Sequence, residues 1–179
     1  MFAEAAAIIG ARDERVRFVA PAASPRLRPV IESQLVEAVI GDRVVVTDGG
    51  SIDAMAAADV VLLASDTAAL ESALLARPTV AAYKVGAISA FILQKFRLMK
   101  TDKVTMPNHL TETPLIPEFV QEKARPEAMA RAVADLLADP ERCAAISRRF
   151  AKLRSELAVG ADDRAAEAVI SLTQQGKRS

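Results

Sequence analysis

The chain has no tryptophan, one tyrosine, one histidine and a single cysteine, Cys143, among its 179 residues. A lone thiol cannot close an intrachain disulfide. Cys143 also lies in an Ala- and Arg-rich helical segment with no Cys or His nearby, which gives no support to a metal centre. Neither sign of charge is in excess, since Lys and Arg total 23 and Asp and Glu total 23. That balance removes the global basic field of a typical nucleic-acid binder. Long apolar runs are missing as well. No stretch reaches the ~18 residues of a membrane-span candidate, and residues 1–10 lack the basic and apolar regions of a signal peptide. An intracellular chain is the expectation.

The sequence is rich in Ala, Val and Leu, enough for one mainly aliphatic core of ordinary domain size. Apolar periodicity predicts helix over 2–10, strand over 16–20, helix over 25–39, strand over 43–47, a short helix over 51–58, strand over 60–64 and helix over 67–76. Strand 79–83, helix 87–99 and a short strand near 103–106 follow. Such alternation predicts a doubly wound parallel sheet. The last third differs: 126–138, 140–157 and 161–174 read as helices punctuated by Pro126, Pro140 and Gly160.

The richest stretch runs Asp59-Val60-Val61-Leu62-Leu63-Ala64-Ser65-Asp66-Thr67-Ala68-Ala69-Leu70-Glu71. Its apolar run suits a parallel strand buried on both faces, and Ser65, Asp66 and Thr67 offer caps for the helix that follows. At such a junction free backbone N–H groups and the positive end of the helix dipole can hold a phosphate. Glu71, about one turn further in, can accept two hydrogen bonds from a vicinal diol such as a ribose. The same residues also fit a plain N-cap followed by an exposed helix charge. Asp48-Gly49-Gly50-Ser51 lies at another strand's carboxyl end, where open α/β sheets bind ligands, and equally suits an ordinary glycine turn.

Four blocks carry a more specific signal: Leu63 to Glu71; Pro78-Thr79-Val80-Ala81-Ala82-Tyr83-Lys84-Val85; Met106-Pro107-Asn108; and Ile116-Pro117-Glu118-Phe119-Val120-Gln121-Glu122. In order and spacing they resemble lipid-A-disaccharide synthase, over the carboxyl half of that family's usual length. The resemblance implies a Rossmann-like, doubly wound parallel sheet of the two-domain (GT-B type) glycosyltransferases. Residues 1–125 would form part of the UDP-sugar-binding domain, and 126–179 the helical end of the same domain. It implies an inverting transfer, without metal or cofactor, of 2,3-diacylglucosamine from a UDP donor to 2,3-diacylglucosamine 1-phosphate. The products would be lipid A disaccharide 1-phosphate and UDP.

By that resemblance Ser65, Thr67 and Ala68 fall at the diphosphate-facing helix start, Glu71 at the ribose, Asn108 in the donor cleft and Gln121 in a further donor block. No catalytic residue is expected in this chain, since the family's base belongs to the other domain. His109 reads either as polar loop lining or as a catalytic group. Two departures stand out. Asp66 occupies the usual glycine position of the Ser-Gly-Thr turn, where its charge opposes a diphosphate. His109-Leu110-Thr111-Glu112-Thr113 replaces a segment that usually carries an arginine.

The resemblance also places Met1 inside the donor domain's first helix, so that the preceding strand and Gly-Ser-Arg turn are absent. In the order 3-2-1-4-5-6 that strand is central. Strands 16–20 and 60–64 are then expected to lack a shared neighbour, and the isolated chain to be inactive and prone to form homo-oligomers. The helix over 161–174 would have no first domain to return to.

Between Ser72 and Thr101 there is no Asp or Glu, while Phe91, Lys95, Arg97 and Lys100 mark a basic, apolar helix. It suits an anionic membrane surface, although Ile88, Ile92, Phe96 and Met99 equally form an ordinary core face. Cytoplasmic localisation, peripheral at the inner membrane of a Gram-negative bacterium, is the corresponding expectation. The implied partners are UDP-diacylglucosamine and, through the absent domain, an acylated glucosamine phosphate. Nucleic acid is not among them. Other readings are a non-catalytic nucleotide-binding or oligomerising fragment, or another sugar-nucleotide enzyme of this architecture.

Overall fold

The computed structural model describes residues 1–84, 103–158, 160, 166, 167, 169 and 170. Helix α1 (Phe2–Arg12) leads to β1 (Phe18–Ala22), α2 (Arg28–Glu37), β2 (Val44–Asp48), α3 (Ser51–Ala57), β3 (Val61–Leu63), α4 (Asp66–Leu74) and β4 (Thr79–Tyr83). Then come α5 (Met106–His109), β5 (Glu118–Val120), α6 (Pro126–Leu137) and α7 (Pro140–Leu157). Every ladder among the described residues is parallel, which makes this an α/β, Rossmann-like fold as the alternation predicts.

Local chemistry sets the ends of these elements. Pro126 and Pro140 open α6 and α7, where a helix has no use for the N–H that proline lacks. The Asp139 carboxylate caps α7 by accepting from the Arg142 N–H at 2.9 Å. The strand expected at 16–20 starts instead at Phe18, because Val16 donates its N–H back to Asp13 O at 3.3 Å in the turn that ends α1. Pro21 sits within β1, which proline tolerates where no ladder partner needs its N–H.

The strands fall into two sheets, β1-β2 and β3-β4-β5. Among the described residues no ladder joins β1 to β3, so one edge of each keeps unpaired backbone groups. The two strands expected to lack a shared neighbour do not close on each other.

The main core lies between the three-stranded sheet and its helices. Ala5 and Ile9 of α1 meet Met129, Ala130 and Val133 of α6, while Ala69 and Ala73 of α4 join Phe150 and Leu153 of α7 in the same cluster. α4 packs directly on α7, and α6 on β4. Beneath α4, the Ser72 and Thr79 hydroxyls share a buried 2.7 Å hydrogen bond that ties the helix to the start of β4. A smaller cluster of Ala3, Leu35 and Ile40 serves the β1-β2 sheet.

One expected element is replaced and one is new. Residues near 103–106 do not form a strand: Thr105 caps a one-turn helix beginning at Met106, and Pro107 falls in its first turn, where proline is tolerated. The third strand of the larger sheet is instead Glu118–Val120, held to β4 through pairs such as Ala82 with Phe119. The helix expected over 87–99, with Phe91, Lys95, Arg97 and Lys100, lies outside the described residues, as does most of the one over 161–174. No helix among the described residues is long and apolar enough to cross a membrane.

Candidate functional site

β3 ends at Leu63 and α4 begins at Asp66, so the turn between them lies at the carboxyl edge of the larger sheet. Ser65 is extended (φ −131°, ψ 136°), and its hydroxyl accepts from the Ala68 N–H at 3.5 Å. The capping expectation holds, with a long bond. The first N–H groups of α4, those of Asp66 and Thr67, have no intrahelical acceptor, and both side chains are exposed. Glu71 lies further into α4, half-buried, without a hydrogen bond or ion pair from its carboxylate among the described residues. A carboxylate held partly out of water and left without a donor is a ready acceptor for hydroxyls.

Asp66 does not hang free at this turn. Its Oδ1 accepts the backbone N–H of Met106, the first residue of α5, at 2.7 Å. One bond across 40 residues thus joins the start of α4 to the start of the Pro-Asn helix.

Behind that contact is a network that sequence reasoning missed. Glu118, the first residue of β5, accepts at Oε2 from the Val104 N–H at 2.7 Å. At Oε1 it accepts from the Thr105 N–H at 2.8 Å, the Thr105 hydroxyl at 2.6 Å and Asn108 Nδ2 at 2.7 Å. Asn108 is only 1% exposed. Its Nδ2 also donates to Ile116 O at 2.8 Å, and its Oδ1 accepts from the N–H groups of Leu115 (2.8 Å) and Ile116 (3.0 Å). Two donated and two accepted bonds exhaust the side-chain amide. In this geometry Asn108 shapes the loop and has nothing left to offer a ligand. The signal available in the sequence was Glu118 itself, an acid opening an apolar strand.

Lys103 braces the same loop from outside, its ammonium donating to Thr111 O at 2.7 Å. A cation therefore does reach the segment where the usual arginine is replaced, but it is spent on the backbone. His109 closes α5 with its side chain exposed.

Tyr83, the last residue of β4, carries a buried hydroxyl with no hydrogen-bond partner among the described residues. Burial, with the negative charges of Asp66 and Glu118, pushes its phenol up to about 12, further from ionising than a free phenol that is already a donor at neutral pH. Gln121 follows β5 directly with φ +54°, a left-handed conformation rare outside glycine and a form of local strain often found at functional sites. Ser65, Asp66, Thr67, Tyr83 and Gln121 therefore gather at the carboxyl ends of three adjacent parallel strands, where ligands of open α/β sheets bind.

The second turn considered, Asp48 to Ser51, lies at the end of β2 in the other sheet. Gly49 and Gly50 both take positive φ, +71° and +74°. The Asp48 carboxylate accepts from Arg28 Nε at 2.8 Å, and Arg28 also bonds Glu32 and Val46 O. That closed set favours the glycine-turn reading.

The family model described as lipid-A-disaccharide synthetase matches residues 1–170. Among curated relatives, a lipid-A-disaccharide synthase of Alkalilimnicola ehrlichii is 40% identical over 171 residues, covering 96% of this chain and 44% of the relative. One from Chromohalobacter salexigens is 41% identical over 176 residues, covering 98% and 45%. One from Cellvibrio japonicus is 39% identical over 168 residues, covering 94% and 43%. A parallel α/β fold with a candidate nucleotide edge is thereby placed in a family: the chain belongs to the lipid-A-disaccharide synthetases. It spans a little under half the length of the curated relatives it matches.

Proposed function

We propose that this chain is the donor-binding half of a glycosyltransferase of lipid A biosynthesis. In the complete enzyme, 2,3-diacylglucosamine passes with inversion from its UDP donor to 2,3-diacylglucosamine 1-phosphate. Here the diphosphate sits at the start of α4, on the N–H groups of Asp66 and Thr67 and the Thr67 hydroxyl, with Ser65 and Ala68 forming the capped turn. Glu71 takes the ribose hydroxyls. Asn108 keeps the loop above the site in shape, and Gln121 borders the sugar end. Residues 1–125 and the helices after them act as one domain, and the chain alone is catalytically silent.

The observation that carries this reading is the half-buried Glu71, without a partner among the described residues, inside a helix that starts at the carboxyl end of β3, in a chain of this family. Isothermal titration with UDP tests it. Glu71→Ala is expected to lower affinity by about tenfold or more, as loss of hydrogen bonds to a charged acceptor does. Equal affinity for the two chains would remove the ribose assignment. Incubation with both lipid substrates tests the half-site: sustained UDP release coupled to disaccharide formation would show a complete enzyme.

The edges of β1 and β3 that have no strand partner among the described residues favour a second reading, a non-catalytic nucleotide-binding or oligomerising module, which the same turnover result would exclude.

The basic, apolar stretch bearing Phe91, Lys95, Arg97 and Lys100 is proposed to rest on the anionic cytoplasmic leaflet, keeping the site near acylated substrates. Flotation with vesicles containing phosphatidylglycerol is expected to carry the chain upward, and neutralising Lys95, Arg97 and Lys100 together to abolish this. Unchanged flotation after neutralisation would rule the element out.

A further inference from the structure

The Asp66 carboxylate occupies a position with two opposed consequences. Its bond to the Met106 N–H satisfies a donor that α5 cannot satisfy internally, since Met106 is the first residue of that helix. Through Met106 it fixes a loop in which Thr105, Asn108, Leu115 and Ile116 are already tied together by way of the Glu118 carboxylate and the Asn108 amide. At the same time Asp66 is exposed and is the first residue of α4, so its charge lies beside the N–H groups that face an incoming anion. An acid near a helix N-terminus stabilises the empty helix and competes with any anion that binds there.

We propose that Asp66 is a positioning residue that locks the α5 loop onto the start of α4 and, through its charge, weakens the site's hold on a diphosphate while leaving its hold on the nucleoside unchanged. This rests on the UDP reading above and deepens it. The predicted character is a donor site that releases its diphosphate product readily, with the loop held in place before the nucleotide arrives.

Two substitutions separate the roles. Asp66→Asn keeps an oxygen that accepts from Met106 and removes the charge; Asp66→Gly removes both. Titration with UDP and with uridine, at low salt and at about 0.5 M salt, reads the electrostatic part. Asp66→Asn is expected to bind UDP about five- to tenfold more tightly at low ionic strength, with the gain shrinking as the Debye length falls to a few ångströms. Its affinity for uridine should stay within about twofold of the parent's, because uridine carries no charge for Asp66 to repel.

Hydrogen exchange at the Met106 amide, measured without nucleotide, reads the positioning part. Protection should persist in Asp66→Asn and be lost in Asp66→Gly, whose UDP affinity should also fall below that of Asp66→Asn. An unchanged UDP affinity in Asp66→Asn at low salt, or an equal gain for uridine, overturns the charge effect. Undiminished protection of Met106 in Asp66→Gly overturns the lock. If the parent and both variants all fail to bind UDP, the nucleotide reading and the charge effect fall together, while the exchange measurement still decides the lock.

Discussion

Glu118→Ala is expected to destabilise the chain by about 3 to 5 kcal/mol, because it strands several buried donors at once. The Thr105 hydroxyl, the N–H groups of Val104 and Thr105, and one hydrogen of the Asn108 amide all point at this carboxylate. Thr105 is fully buried and Asn108 nearly so, leaving water little opportunity to replace the acceptor. Against a typical domain stability of roughly 5–15 kcal/mol, such a loss approaches the threshold of folding. Glu118→Gln should cost less, since its amide oxygen can keep the Oε1 partners while its NH₂ group opposes the Val104 N–H. Urea unfolding followed by circular dichroism measures both. The ordering Ala worse than Gln worse than parent is the expected result, and a Glu118→Ala chain as stable as the parent would show that the network is dispensable.

Phe150→Ala carries a loss of similar size, about 3–5 kcal/mol, through a different mechanism. Phe150 is fully buried on α7, in a cluster that includes Ala69 and Ala73 of α4. Those alanines let the two helices approach closely, but they have no length with which to fill the cavity left by the ring. Phe150→Leu keeps much of the volume and should cost under about 1.5 kcal/mol. The consequence reaches the site because α4 begins at the Ser65 turn. Amide exchange should therefore show β3, β4 and α4 losing protection together with α6 and α7. If only the two last helices lose protection, the helical end is a separate unit and the one-domain proposal fails.

What could be inferred from residue order alone was local. The alternation of strands and helices, the Ser65 cap and the strand–turn–helix unit depend on side-chain period and on hydrogen bonds only a few residues long, so nearby sequence suffices to specify them. The split sheet is not of this kind: it was expected only from the family resemblance. Short elements escaped this logic. Glu118–Val120 is three half-buried residues between Pro117 and the left-handed Gln121, too brief to show a period, and it is a strand because β4 lies beside it. Val104 and Thr105 have β-branched side chains that suggest a strand, yet Thr105 serves as a cap and Pro107 sits in a first helical turn.

The same division runs through the site. The Ser65 turn, Glu71 and the Met106-Pro107-Asn108 block were identifiable as sequence features, but their roles depend on groups distant in the chain. Asn108 is saturated because Glu118, Leu115 and Ile116 converge on it. The charge of Asp66 is anchored because Met106 arrives 40 residues later. The Tyr83 phenol is pushed up to about 12 only when folding buries it near two carboxylates. The sequence by itself determined the class of fold, the order of most elements up to β4 and the capped turn at Ser65, since periodicity and capping act within a few residues. The tertiary structure decided which polar groups remain free for a ligand, since that depends on which hydrogen bonds distant segments complete for one another.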